Sequence, residues 1–418
     1  MTTVRWPIAA WFLWLLLVAG SAGCDAWPFV VCFVDGDQSV QLSPSGRAVA
    51  FVDADAYDRI ASATDHERPL LDCNVREFTT RFSARPEAII FTLNFEDDSV
   101  TMARLMHDRG FSFPEDLRAD LPQDRRLQFF TALHEVLEFM DTVRAPPRIA
   151  FNTTFRYEEE GIGSRSVVDD IRSSSFPDNM RGYLFLPTKE DLVVGRFNHE
   201  FAHFWGIDLR GPAALRAQLA RFPGHWGFSS VGGMLGGWSP DSLVSVGDDM
   251  YHARAFPAGR ALNQTEYAPL ELYLMGLAPP HEVAPIQVAI NSQQIGKTGD
   301  ALDIFRAERL ETITIEEIIA ANGERQPSYQ DASKTFNLAL IILTDHRLSD
   351  NEWRFYERAI DFLQADENAK PLDFFAKEEF PGQHEFWASL LSSGPLLNFC
   401  AATRGRGALH FVNLQSPP

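Results

Sequence analysis

The feature that most constrains this chain is the pentapeptide His199-Glu200-Phe201-Ala202-His203. Positions i and i+4 of an α-helix lie one above the other on the same face, so a helix through this segment presents two imidazoles side by side. Such a pair is a ligand set for a divalent ion such as zinc. Glu200 is rotated one residue step off that line, where it can polarise a water without binding the metal itself. Four other His-Glu pairs occur, at His66, His134, His281 and His384, and none has a histidine four residues on. His134-Glu135 with Glu138 fits the exposed face of an amphipathic helix instead. Around the pair, Phe197, Phe201, Phe204 and Trp205 supply apolar packing.

The flanks place the motif. Arg181 to Leu186 reads as a strand stopped by Pro187. Thr188 with Asp191 three residues later is a capping box in which Asp replaces the usual Glu, and Gly206 sits where a C-terminal glycine belongs. These signals predict one helix over 189–205 with the histidines in its last two turns.

A helix carrying His-Glu-Phe-Ala-His after the strand Gly182–Leu186 resembles the zincin superfamily of metallopeptidases. That resemblance implies a zinc-dependent hydrolase acting on protein or peptide substrates. It also implies an edge strand beside the metal helix that takes up the substrate backbone by strand addition. The segment Tyr267-Ala268-Pro269-Leu270-Glu271-Leu272-Tyr273 resembles one in exported bacterial zincin-like proteins, which carry an acidic residue at the position of Glu271.

A catalytic zinc takes three protein ligands and keeps one position open. The metzincin spacing would put the third histidine at 209, where this chain has Leu209, which cannot bind metal. His225, in Gly224-His225-Trp226-Gly227, is a candidate ligand or a donor to the reacting carbonyl oxygen. Glu271 is the preferred third ligand: it sits on a short helix opened by Pro269, among Leu270, Leu272, Leu274 and Met275, where a carboxylate needs a partner. With the two histidines it makes a gluzincin-like set. Tyr273 and Tyr267 are further candidate donors. The expected mechanism uses Glu200 as general base on a metal-activated water. A catalytically silent zincin-like lipoprotein that binds a surface polymer or protein partner is the alternative.

The 418 residues carry a formal charge of -20, which argues against nucleic-acid binding, because phosphate recognition needs clustered Lys and Arg. Residues 1–24 read as an export signal: Arg5, an apolar run from Trp6 to Val18, then Ala19-Gly20-Ser21-Ala22-Gly23-Cys24. Ala22-Gly23-Cys24 resembles a lipobox, which would attach the chain to a membrane through a lipidated Cys24; Ser21 departs from the usual Leu. The expected location is the periplasm, the cell envelope or the exterior. Among the four cysteines, Cys32–Cys73 is the expected bridge.

Strands are expected at Glu87–Phe95 and Arg148–Thr154, a strand or else a buried helix at Phe336–Leu343, and a helix within 115–142. Gly224 to Gly237 is too glycine-dense for regular structure. Capping boxes at Thr314–Glu317 and Ser349–Glu352 open two later helices. The expected fold is α+β and zincin-like, a small mixed sheet with an edge strand beside the metal helix and a mainly helical C-terminal portion. Its segments are a signal (1–24), a small β-rich extension (25–75), a catalytic domain (76–284) and a C-terminal subdomain (285–418).

Overall fold

A computed structural model describes residues 27–30, 39–55, 67–94, 152–157, 180–254, 265–297, 303–380 and 395–415, apart from 187, 194–195, 207–208, 223 and 367–368, and also 162, 166–167, 384 and 388. The export signal, Cys24 and the helix expected within 115–142 lie outside the described residues.

The first part of the chain runs β1 (Trp27–Val30), β2 (Ser39–Leu42), β3 (Ala48–Val52), β4 (Glu67–Leu70), α1 (Asp72–Arg81), β5 (Ala88–Asn94), β6 (Asn152–Tyr157), β7 (Ser166–Val167) and β8 (Gly182–Leu186). The motif helix α2 (Phe197–Gly206) and α3 (Ala213–Arg221) follow, then β9 (Val244–Gly247), β10 (Met250–Ala253) and α4 (Pro269–Met275). The rest comprises β11 (Ile286–Ile290), β12 (Gln293–Lys297), β13 (Asp303–Arg306), β14 (Arg309–Ile313), α5 (Ile315–Asn322), β15 (Thr335–Thr344), α6 (Asp350–Gln364), α7 (Pro371–Phe374), α8 (Phe399–Ala402) and β16 (Ala408–Phe411).

An eight-stranded sheet in the order β2-β3-β15-β5-β8-β6-β7, with β16 also on β15, forms the framework. Strands β3, β15, β5 and β8 are parallel to one another, and β2 and β6 run antiparallel to their neighbours. Side chains alternate between the two faces of a strand. One face, with Val49, Phe51, Ile89, Phe91, Tyr183 and Ile341, packs on Val75 and Phe78 of α1. The other, with Ala50, Ile90, Leu184, Leu340 and Ile342, packs on the layer holding Phe197 and Phe201 of α2 and Phe355 and Phe362 of α6. Covering on both faces is why β5 and β15 read as unbroken apolar runs. Smaller sheets flank the framework: β12-β13-β10-β9, β11-β14 and the parallel pair β1-β4.

The mixed α+β class is as expected; the finer picture differs in four ways. The sheet is large, and it draws strands from the extension, the catalytic segment and the C-terminal segment alike, so the boundaries at 75 and 284 cut across one sheet. Strand β8 is no edge: it lies between β5 and β6. Every residue from Gly182 to Leu186 is buried, the mark of an interior strand. Among the described residues of 285–418 there are six strands beside the helices, so that portion is mixed. Finally, the capping box at Thr188 forms, but it closes only a 3-10 turn, Lys189–Leu192, and α2 starts afresh at Phe197. Val193-Val194-Gly195 intervenes, and β-branched residues followed by glycine are poor helix formers.

Cys73 is disulfide-bonded and Cys400 takes part in no disulfide; the expected partner of Cys73, Cys32, lies outside the described residues. Among the described residues no helix is long and apolar enough to cross a membrane.

Candidate metal centre

Helix α2 offers its two histidines toward the glycine-rich loop, both nearly fully buried. That loop turns at Phe222, whose carbonyl accepts the His225 N–H at 2.7 Å, and it is pinned by the Trp226 N–H on Leu235 O at 3.0 Å and by reciprocal 3.0 Å bonds between Gly233 and Gly236. It carries no regular strand or helix, as its glycine density predicts.

The loop delivers His225 to the helix. The three imidazole rings form a near-equilateral triangle, with centroids 4.9 Å apart for His199–His203, 5.1 Å for His199–His225 and 5.0 Å for His203–His225. One nitrogen from each ring lies within 4.8 Å of the others, and Nε2 of His225 is 3.2 Å from Nε2 of His199. Among the described residues this is the one His, Cys, Asp or Glu group with metal-ligating geometry.

Protonation states follow from the partners. Nδ1 of His199 is 3.0 Å from the Met234 carbonyl, which can only accept, so Nδ1 carries the proton and Nε2 turns its lone pair inward. Neither ring nitrogen of His203 has a hydrogen-bond partner, although the residue is buried. An unmet buried polar atom costs about 1–3 kcal/mol. Burial, and then the neighbouring imidazoles, hold both His199 and His203 well below the usual histidine range, which keeps them neutral as metal ligation requires. Orphaned nitrogens, neutral rings and a three-imidazole donor set all fit a borderline divalent ion such as zinc.

Glu271 stands apart from this triangle. Its Oε1 accepts from the Trp226 indole N–H at 2.9 Å and from the Leu235 N–H at 2.7 Å. Its Oε2 accepts from the Met234 N–H at 2.9 Å and from the Ala268 N–H at 2.7 Å. A carboxylate has about four lone-pair sites, and all four are taken. The expected ligand role of Glu271 therefore gives way to an anchoring one, and His225 occupies the third vertex. Burial pushes the Glu271 carboxyl up, and the hydrogen bonds from Leu235, Ala268, Trp226 and Met234 pull it down.

The two tyrosines are also engaged elsewhere. Tyr267 donates its hydroxyl to the Asn198 carbonyl at 2.7 Å, bracing α2. The Tyr273 hydroxyl bonds to the backbone of Arg325 while burial raises its pKa. Tyr267, its proton spent on Asn198, is not arranged as the expected oxyanion donor. Glu200 is buried in the first turn of α2, one residue from His199, with its N–H on Arg196 O at 2.9 Å. Leu209 is a core residue. Trp226 and Met234, which orient the histidines, escaped sequence reasoning; their one signal was the glycine density that frames them.

Comparison with known proteins adds no relative: no protein-family model, curated protein or solved structure matches the chain.

Proposed function

We propose that the protein is a zinc-dependent hydrolase, a metallopeptidase, with His199, His203 and His225 as metal ligands and Glu200 as general base. The observation that carries the metal reading is His203: two buried, unpartnered nitrogens at one vertex of a histidine triangle. Zinc supplies Lewis acidity to such a site. The chain's own residues do the remaining work. His199 is held in one tautomer by the Met234 carbonyl, so its inward lone pair needs no rearrangement before a metal arrives. Glu200 lies one helical step from the ligand line and takes the proton of the attacking water, later passing it to the leaving amine. The peptide bond as target rests on the resemblance of the motif helix to zincins. The same reading puts the protein outside the cytoplasm, on the strength of residues 1–24, with Cys24 as a point of lipid attachment.

The test pairs two variants. Glu200→Gln should keep stoichiometric zinc and lose hydrolysis of an unfolded protein substrate by at least about 100-fold, the scale of a general base. His203→Ala should lose the zinc itself, read by elemental analysis. Unchanged turnover in Glu200→Gln would sink the mechanism. Zinc in the native chain with no hydrolysis of any peptide would favour the catalytically silent, partner-binding alternative.

A further inference from the structure

Glu271 ties together the loop that carries His225 and the backbone that holds His199. We infer that Glu271 is the positioning residue of the metal centre: its carboxylate fixes the third ligand and the orientation of the first, without touching the metal. This rests on the metal-site reading above.

The connections are short. Oε1 holds the indole of Trp226, the residue next to His225, and the N–H of Leu235, whose carbonyl accepts the Trp226 N–H. Both ends of the loop segment that presents His225 thus close on one oxygen. Oε2 holds the N–H of Met234, and the carbonyl of the same residue accepts Nδ1–H of His199. The Ala268 N–H on Oε2 ties Glu271 back to the residue that precedes α4. One carboxylate therefore clamps His225 through Trp226 and His199 through Met234.

The loop is shaped to reach it. A Cβ on Gly233 would come within 2.6 Å of Ala268 Cβ and 2.7 Å of Ala268 N, and would also strike Glu271 Oε2. Glycine is needed for that approach. The charge is needed too. Four N–H groups converge on the two oxygens, and a glutamine would aim its own NH₂ at two of them. A buried carboxylate behind the three imidazoles also offsets the charge of a bound divalent cation. Outer partners of metal ligands commonly change metal affinity by about 10–100-fold when removed.

The experiment measures zinc and cobalt affinity of the full chain by chelator competition. It is combined with 15N histidine spectra of the metal-free protein, which read the His199 tautomer. Glu271→Gln should remain folded by thermal melt, bind zinc about 10–100-fold more weakly, and lose the Nδ1–H signature of His199. Trp226→Phe, which removes one donor and keeps a large apolar side chain, should weaken zinc by about 3–10-fold and leave that signature in place. If Glu271→Gln does not fold, Trp226→Phe decides alone, and zinc affinity equal to wild type overturns the proposal. Wild-type affinity in a folded Glu271→Gln overturns it while leaving the metal centre standing. Absence of zinc binding in the wild-type chain overturns the metal reading and this inference with it.

Discussion

At the scale of single residues, the site is decided by which polar atoms are satisfied and which are not. Glu271 has four donors and no lone pair to give; His203 has none and is buried. The hydrogen bonds place Glu271 in the framework and leave His203 as the candidate for a metal. The approach of Gly233 to α4 makes a separate prediction. Gly233→Ala should cost about 1–3 kcal/mol by overpacking, read as a lowered urea midpoint with an unchanged slope. A midpoint equal to wild type would mean the loop does not need that close approach. Much of this was legible in the sequence. The helical spacing of His199 and His203 is a local property, and the apolar neighbours of Glu271 correctly marked a buried carboxylate. The nature of its partners was not legible, because three of the four donors come from a loop 36 to 45 residues away and three of the four bonds are made by backbone N–H groups, which leave no trace in side-chain identity.

Elements repeat that contrast between local and distant causes. The capping boxes at Thr314 and Ser349 form where they were read, since each needs only residues within one turn. The box at Thr188 forms equally well, yet it closes only the 3-10 turn Lys189–Leu192. The N-terminus of α6 carries an additional device. His346 lies between two carboxylates, with Nδ1 2.8 Å from Asp345 Oδ1 and Nε2 2.8 Å from Glu352 Oε1. Asn94, at the end of β5, donates to the same Glu352 oxygen at 2.8 Å. The bond to Glu352, reinforced by Asp345 and opposed by burial, pushes the His346 pKa up to about 9. Burial alone would raise the Glu352 carboxyl, but His346, Ser349 and Asn94 outweigh it and bring it down to about 2. For a cationic group with a raised folded-state value, the stabilisation is full below the unfolded value of 6.5 and fades as pH climbs through about 9. The Glu352 contribution is present above 4.5 and fades as pH falls through about 2. His346→Asn should therefore melt below wild type near neutral pH, with the gap closing as pH rises through about 9. A gap that stays constant across that range would exclude a charged His346 as its source. The pair is partly exposed, so the effect is a screened one.

On the scale of the whole molecule, the sheet sets the frame in which these local pieces meet. Strand β15 is its hinge of assembly: it pairs in parallel with β3 and β16 on one side and with β5 on the other, joining chain segments hundreds of residues apart. Each central strand announces itself by an unbroken apolar run, and those runs were readable. Which strand neighbours which was not, since strand order depends on long-range pairing that periodicity does not encode; hence β8 proved interior rather than an edge. The apolar face of that sheet, through Phe197 and Phe201, holds α2 against the core and leaves its histidine face to the loop and α4. The central claim is that this arrangement builds a metal centre from three imidazoles. The most direct measurement is the zinc-edge X-ray absorption spectrum of the purified chain with one equivalent of zinc. The account predicts scattering from three imidazoles, falling to two in His225→Ala and remaining three in Glu271→Gln once zinc is saturating. A spectrum with two imidazoles in the wild-type chain, unchanged by His225→Ala, would contradict it.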